Sequence, residues 1–365
     1  MATGHDSSVC FSELMHGRNN NLNIIRFIAA LAVIWSHSLA LTLGADNPGS
    51  FLDHWTDDRL SIGGFAVAIF FFYGGILIAK SCEHHSSARS FFAIRSKRIF
   101  PQLATVVFLC TFVMGPLVTE LAPADYFSNP GTYAYLLNAV LVLVHPLPGV
   151  FVSNPYPDVV NGALWTLPVE YACYVLCFVV FLTTRFRKRS MTAISVFMFG
   201  FGFAFLCFFH LALLSVVRAV MEFLMGMLVW TWRDSIPVSK VLGLGSIALM
   251  VLMFYFGLDI PAMFICFPYA LLWLGWGTKH KVANFANGAD LSYGTYLWGF
   301  PVQQLLCFLW QGEMSWVVNA CLACLVAVPA GYLNYRLIDK GIIAIATKQI
   351  VLRREKKSAA AGDAR

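Results

Sequence analysis

Long apolar runs recur along most of this chain, and they decide what it can fold into. Stretches of 18 or more residues with few charges favour helices that cross a lipid bilayer, because a spanning helix needs about 20 predominantly apolar residues. Hydrophobic residues make up 59% of the 365 residues and charged residues 12%. That charged share is about half that of an average soluble domain. The pattern therefore predicts an all-α, polytopic transmembrane helical bundle.

We expect about ten spans plus one re-entrant or short helix, with both termini in the cytoplasm. The spans are expected near 22–44, 60–80, 100–121, 163–183, 191–209, 211–231, 241–258, 260–277, 288–311 and 315–336. This number places the basic connections, such as 184–189, in the cytoplasm, and the connections without Lys or Arg, such as 119–131, outside. The segment 133–150 does not fit this number of spans, because its apolar stretch is short. A re-entrant or interfacial helix on the outer side preserves the alternation of charge, whereas a further span would move 184–189 outside.

The chain divides into a polar cytoplasmic tail (1–21), a membrane domain (22–340) and a basic cytoplasmic tail (341–365). The polar start is unlike a cleavable signal peptide, and most of the ten cysteines are scattered inside apolar runs without a CxxC metal pair. The sequence has no Walker-type glycine loop, HExxH motif or nucleophile elbow. We therefore expect no metal cofactor and no nucleic-acid partner. The net charge of +6 is spread over loops and tail and bears on topology first.

Ionisable residues inside the spans are the strongest functional signal, because a charge at the bilayer centre costs at least about 2.5–3.5 kcal/mol. Arg26 and His37 bracket the segment "RFIAALAVIWSH". Eleven helical steps of about 100° place both side chains on one face, about 16 Å apart along the axis. His37 lies toward the outer side, where an imidazole could act as a general base at a hydroxyl or simply hydrogen-bond a carbonyl. Arg26 lies near the cytoplasmic end, where a long side chain could also snorkel to the headgroups.

Glu170, in "GALWTLPVEYACYVLCF", is expected at the same depth as His37, because its span runs in the opposite direction. A carboxylate beside an imidazole fixes its tautomer and raises its basicity. We therefore expect Glu170 to orient His37. The alternative is a hydrogen bond from Glu170 to some other helix.

Two further arginine motifs have competing interpretations. Arg218 and Glu222 are four residues apart, which favours an intrahelical ion pair, with a substrate-contacting arginine as the alternative. Arg95 and Arg98 share a helix face at the inner side and could clamp a polyphosphate through forked contacts. Anchoring of the cytoplasmic loop accounts for their charge equally well.

Seven motifs in fixed order resemble the integral-membrane acyltransferase-3 family, which O-acetylates cell-surface polysaccharides, lipopolysaccharide O-antigens and lipo-oligosaccharide signals. They are "RFIAALAVIWSH", "IFFFYGGILIAKS", "FFAIRSKRIFP", "LWTLPVEYACY", "RAVMEFLMGM", "LSYGTYLWGFPVQQ" and "YRLIDK". Each motif alone is weak evidence for the resemblance, but seven in the same order are strong evidence. Together they cover about residues 20–340. The chain is similar to the stand-alone form, without a fused hydrolase-like domain.

The resemblance implies a membrane-bound O-acyltransferase of the bacterial inner membrane that moves an acetyl group from cytoplasmic acetyl-CoA to a hydroxyl of a cell-surface or lipid-linked glycan. The implied partners are the acyl-CoA donor, a glycan or glycolipid acceptor and the lipid bilayer. The residues it implicates are His37, Arg26, Arg95, Arg98, Glu170, Arg218 and Tyr293. We therefore expect catalytic His37 and Glu170, donor-binding Arg95, Arg98 and Arg26, and substrate-lining Arg218, Glu222, Tyr73, Tyr293 and Trp165.

Two positions depart from the family pattern. Gly74-Gly75 stands where a Ser-Gly pair is usual, and Gly299 stands where a histidine is frequent. The alternative function is a multi-pass transporter or flippase for a glycan or small solute, in which buried charges gate a pathway. The chain lacks the repeat symmetry and paired broken helices expected of many transporters. Acceptor identity and acyl length are left open.

Overall fold

The computed structural model describes residues 9–15, 19–44, 47–84, 87–208, 214–279, 281–339 and 341, without the side chains of 206–208, 287, 288 and 339. Fifteen α-helices, numbered in chain order, make up most of these residues. Five are short: α1 (Phe11–Leu14), α3 (Phe51–Trp55), α6 (Gly115–Val118), α7 (Pro123–Ser128) and α8 (Pro130–Ala134). Ten are long: α2 (Leu22–Leu43), α4 (Ile62–His84), α5 (Ala88–Leu109), α9 (Thr166–Thr184), α10 (Lys188–Phe208), α11 (Leu214–Thr231), α12 (Lys240–Tyr255), α13 (Asp259–Leu272), α14 (Leu291–Leu309) and α15 (Trp316–Asn334).

The all-α, polytopic membrane architecture predicted from the apolar runs is confirmed. Each predicted span overlaps one of the ten long helices, although α5 begins twelve residues before the predicted span 100–121. Seven helical segments of the described chain are long and apolar enough to cross a bilayer: 22–43, 62–84, 88–118, 162–184, 214–231, 259–277 and 316–338. The number of ten spans and the cytoplasmic position of both termini stay predictions. The C-terminal tail, apart from residue 341, lies outside the described residues.

The described part of the N-terminal segment packs against the bundle. Strand β1 (Val9–Cys10) pairs antiparallel with β2 (Pro237–Val238). Phe11 is fully buried and meets the Trp276 ring edge-to-face, with centroids 5.0 Å apart. Burial of this aromatic ring anchors a segment that its polar composition alone marks as a tail.

The segment 133–150 contributes none of the seven long apolar helical segments. A single 3₁₀ helix covers Tyr135–Val140, and its six residues rise only about 12 Å. The Asn138 amide donates to the carbonyls of Tyr135 and Val144, at 2.9 and 2.8 Å, and so closes the turn that follows. The expected short helix is therefore present, and its re-entrant or interfacial position stays a prediction.

Close helix contacts at glycines set the position of the functional site. A Cβ on Gly75 of α4 would lie 2.0 Å from the Phe223 carbonyl oxygen of α11, and a Cβ on Gly226 would lie 2.2 Å from the Phe72 carbonyl oxygen. Such small-residue contacts let membrane helices approach closely. The α4–α11 pair packs beside α2 and α9, and α14 packs between α2 and α15. Space between these helices forms two cavities.

Candidate active site

Two cavities lie along α2 and share the side chains of Val67 and Tyr296. The Arg26 cavity, lined by Arg26 near the start of α2, contains about 810 Å³ of empty space. The His37 cavity, lined by His37 near the end of α2, contains about 650 Å³. The helical spacing of Arg26 and His37 therefore places them at the walls of two adjoining spaces.

Asp290 joins two of the predicted arginines at the Arg26 cavity. Its Oδ2 accepts hydrogen bonds from Arg26 Nη1 at 2.7 Å and from Arg98 Nη2 at 2.8 Å. Asp290 is also the N-cap of α14, where its side chain accepts from the Ser292 backbone N–H. One carboxylate thus holds guanidinium groups from two helices and caps a third.

Arg26 also contacts an aromatic wall of this cavity. Its guanidinium carbon lies 5.6 Å from the centroid of the Phe70 ring, within cation–π range. The Arg26 side chain is 14% exposed. It is therefore held inside the protein by an ion pair and a ring, and the snorkelling alternative does not describe its position.

Arg95 occupies a different environment from Arg98. Its guanidinium donates to the Ser81 hydroxyl at 2.8 Å and lies over the Phe91 ring. Arg98 lines the Arg26 cavity, whereas Arg95 is not among its lining residues. The two side chains begin on one helix face but diverge, so the structure does not form the expected two-arginine clamp.

Val67 and Tyr296 form a partition between the two cavities, and Glu170 lies on the Arg26 side of it. Its carboxylate accepts a hydrogen bond from the Tyr174 hydroxyl one turn along α9, and both side chains line the Arg26 cavity. His37 lines the other cavity, where its ring packs edge-on against Phe300 with centroids 5.2 Å apart. Among the residues that the structure describes, no hydrogen bond joins Glu170 to His37. The expected direct contact between them is therefore absent.

The predicted ion pair between Arg218 and Glu222 is also wrong. Within the described chain, no carboxylate oxygen lies within 4.0 Å of the Arg218 guanidinium. Both Glu222 carboxylate oxygens are buried without a hydrogen-bond partner. A spacing of four residues permits an ion pair but does not force it. In this structure Arg218 lines the His37 cavity instead.

The three aromatic residues expected at the site lie in three different places. Tyr293 lines the Arg26 cavity and donates to the Ile99 carbonyl at 2.9 Å, and Trp165 lines the His37 cavity. Tyr73 lines neither, because its fully buried side chain points to α13 and donates to the Leu271 carbonyl at 2.8 Å. The expectation that Tyr73 faces substrate is therefore not met at these cavities.

Asp290 is the site residue that sequence reasoning missed. It stands one position before the motif "LSYGTYLW". An Asp followed two residues later by Ser, at the start of an apolar run, is an N-cap signal that could have indicated its local role. Nothing in the local pattern indicates its two arginine partners, which are 264 and 192 positions away.

The site residues carry acid–base and anion-binding groups, with no metal-ligand cluster in the described part of the chain. Arg26 and Arg98 present two guanidinium groups at one cavity, where the carboxylates of Asp290 and Glu170 lie near them. His37 presents an imidazole at the other. This combination suits an anionic substrate on one side and proton transfer on the other.

Comparison with known proteins identifies the family. The acyltransferase-3 family model, described as an acyltransferase domain, matches residues 19–336. The "O-acetyl transferase" of Shigella phage Sf6 is 26% identical over 359 residues, which cover 93% of this chain and 100% of the relative. "Nodulation protein 10" of Rhizobium leguminosarum bv. viciae is 33% identical over 177 residues, 45% of this chain and 44% of that protein. No solved structure matches the chain.

The matched region contains every cavity-lining side chain discussed above, from Arg26 to Tyr296. With its apolar helices, the chain belongs to the acyltransferase-3 family and is a multi-pass membrane acyltransferase.

Proposed function

We propose that this protein transfers an acetyl group from cytoplasmic acetyl-CoA to a hydroxyl of a cell-surface or lipid-linked glycan. The observation that carries the proposal is the partition of Val67 and Tyr296, which separates an arginine-lined cavity from a histidine-lined one. A donor bound in the first cavity and an acceptor bound in the second would meet at this partition. The resemblance to an O-acetyl transferase across the whole chain supports the acetyl group as the one moved.

The Arg26 cavity suits the donor. Arg26 and Arg98 would bind the phosphates of coenzyme A, because guanidinium groups recognise phosphate oxygens through paired hydrogen bonds. Arg95 does not line the cavity, but its charge would add to the positive electrostatic potential there. The extended pantetheine arm is of the order of the roughly 16 Å rise between Arg26 and His37, so it could carry the thioester to the partition.

The His37 cavity suits the acceptor hydroxyl. The hydroxyl oxygen would form a bond to the acetyl carbonyl carbon as the carbon–sulfur bond breaks. His37 would take the hydroxyl proton and return it to the coenzyme A thiolate, which balances the reaction without a further reactant. Glu170 and Tyr174 would act on the donor side of the partition, where they line the path of the thioester.

In the topology predicted from the charged loops, the Arg26 cavity would lie toward the cytoplasm, where acetyl-CoA is made, and the His37 cavity toward the outside. A glycan acceptor at the outer side of a bacterial inner membrane would fit this arrangement.

Turnover by the purified full-length protein in lipid nanodiscs tests the proposal. Acetyl-CoA labelled in its acetyl group is mixed with extracted surface glycan, and the product is followed by mass spectrometry. We expect label on the glycan, loss of that label in His37→Ala, and normal label in His54→Ala, a control at an exposed histidine.

Full activity of a well-folded His37→Ala protein would remove His37 from the mechanism. Uptake of glycan into liposomes without release of coenzyme A would instead support the transporter alternative.

A further inference from the structure

The His37 cavity contains a cation, Arg218, and its described lining residues include no anion. Arg218 of α11 lines it, and a Cβ built on Gly64 would lie 3.9 Å from Arg218 Nη1, so the guanidinium itself is at the wall. Arg218 makes no hydrogen bond and no ion pair with any other residue that the structure describes. A guanidinium inside a membrane protein normally finds a partner, because an unpaired charge is costly there.

The nearby carboxylates do not supply that partner. Asp259 and Glu222 are the acidic residues whose fields reach Arg218. Asp259 is bound by Arg59, whose Nη2 donates at 2.7 Å and whose Nε donates at 3.1 Å. Glu222 is on the same helix, but its two oxygens contact no donor. The described residues that line the cavity include no Asp or Glu.

The other lining groups include hydroxyls and an aromatic ring. Hydroxyls come from Ser36, Ser61 and Ser215, and Trp165 adds an aromatic side chain. Aromatic rings and a few placed hydroxyls are typical of pockets that orient polar ligands. The cavity thus has hydrogen-bonding groups for sugar hydroxyls. It also has the positive charge of Arg218, which no described lining residue neutralises.

We propose that the acceptor carries an anionic group and that Arg218 binds it while His37 faces the hydroxyl to be acylated. The anion would be the carboxylate of an acidic sugar or the phosphate of a lipid-linked glycan. This inference rests on the proposed function, since it takes the His37 cavity as the acceptor site.

A different role for Arg218 would be to stabilise the negative oxygen that develops on the thioester carbonyl during transfer. That role requires no charge on the acceptor. Neutral and anionic acceptors therefore separate the two, because an anion-binding arginine acts through acceptor KM and an oxyanion-binding arginine acts through kcat for every acceptor.

Three acceptors test the proposal on the full-length protein in nanodiscs with acetyl-CoA. They are methyl β-glucoside, methyl β-glucuronide and glucose linked through phosphate to a short polyprenol. We expect kcat/KM to be at least about tenfold higher for one anionic acceptor than for the glucoside, because charge-assisted hydrogen bonds carry that much selectivity. Preference for the glucuronide identifies an acidic sugar, and preference for the polyprenol compound identifies a lipid phosphate.

Variants show whether Arg218 is responsible. Arg218→Gln should raise KM for the preferred acceptor and abolish the preference with little change in kcat, and Arg218→Lys should retain part of it. Arg187→Gln, an exposed control, should behave as wild type. Equal kcat/KM for all three acceptors, or an equal loss of kcat for all of them in Arg218→Gln, would overturn the proposal.

Binding is measured separately from turnover, so that the two proposals can fail independently. Each acceptor is added to wild type and to Arg218→Gln, and the shift of the thermal midpoint is recorded. A larger shift with an anionic acceptor, lost in Arg218→Gln, supports anion binding even if no acetyl transfer occurs. Equal shifts with the glucoside and both anionic acceptors contradict it. Absence of transfer to every acceptor and to surface glycan counts against the proposed function alone.

Discussion

Asp290 and Arg26 form an ion pair that ties the start of α14 to the N-terminal part of α2. Asp290 Oδ2 lies 2.7 Å from Arg26 Nη1, and the same oxygen lies 2.8 Å from Arg98 Nη2. The carboxylate therefore fixes both guanidinium groups at the cavity that we assign to the donor. Each guanidinium carries five N–H donors, so both keep donors for an anionic ligand.

Loss of the Asp290 charge should destabilise the bundle. We expect Asp290→Asn to lower the free energy of unfolding by about 1–3 kcal/mol, the range for hydrogen bonds to charged groups. Most of the loss should come from Arg26, which is 14% exposed, since the 37% exposed Arg98 is better screened by solvent. Equilibrium unfolding in detergent measures the effect, with the exposed Asp125→Asn as control. Equal stability of the two variants would contradict it.

The helices could be predicted from sequence because the bilayer fixes both their length and their apolar character. The placement of Arg26 and His37 at different depths on α2 also followed from helix geometry alone. The folded segment at Phe11 could not be predicted, because a single aromatic residue in a polar stretch does not reveal the surface that buries it.

Contacts between helices were the part that sequence could not supply. Depth in the membrane allowed Glu170 to meet His37, but Glu170 bonds to Tyr174 on its own helix. Spacing allowed Arg218 to pair with Glu222, but the guanidinium faces a cavity. Depth and spacing restrict which groups can meet. The rotation of each helix, which decides whether they do, depends on packing with residues far away in the chain.

Arg98 and Arg95 should differ in their effect on donor binding. Arg98→Gln should raise the Kd for coenzyme A by about 10- to 100-fold, the equivalent of one charged hydrogen bond to phosphate. Arg95→Gln should raise it less, because Arg95 points to Ser81 and away from the cavity. Calorimetric titration of the protein in nanodiscs measures both. A larger loss of affinity in Arg95→Gln would show that the donor phosphates lie elsewhere.

The glycine contact between α4 and α11 should be intolerant of any side chain. Gly75→Ala would place a Cβ 2.0 Å from the Phe223 carbonyl oxygen, and we expect it to lower stability by about 1–3 kcal/mol as the helices separate. Gly245 in α12 is the matched control, because a Cβ there meets nothing within 4 Å. Gly245→Ala should leave stability unchanged or raise it by up to about 1 kcal/mol. Equal effects of the two substitutions on the unfolding midpoint would mean that the α4–α11 contact is not close-packed.

Val67 should control passage between the two cavities. Tyr296 is fixed in the partition, because its hydroxyl donates to the Ala163 carbonyl and lies 2.7 Å from the Thr166 hydroxyl, whereas Val67 fills the other side with a small side chain. We expect Val67→Phe to slow acetyl transfer at least about tenfold, which corresponds to roughly 1.4 kcal/mol in the barrier, while coenzyme A still binds normally in the Arg26 cavity. Val113→Phe, at a side chain 48% exposed on the bundle surface, is the control and should keep the wild-type rate. Normal transfer by Val67→Phe with normal donor binding would mean that donor and acceptor do not meet at this partition.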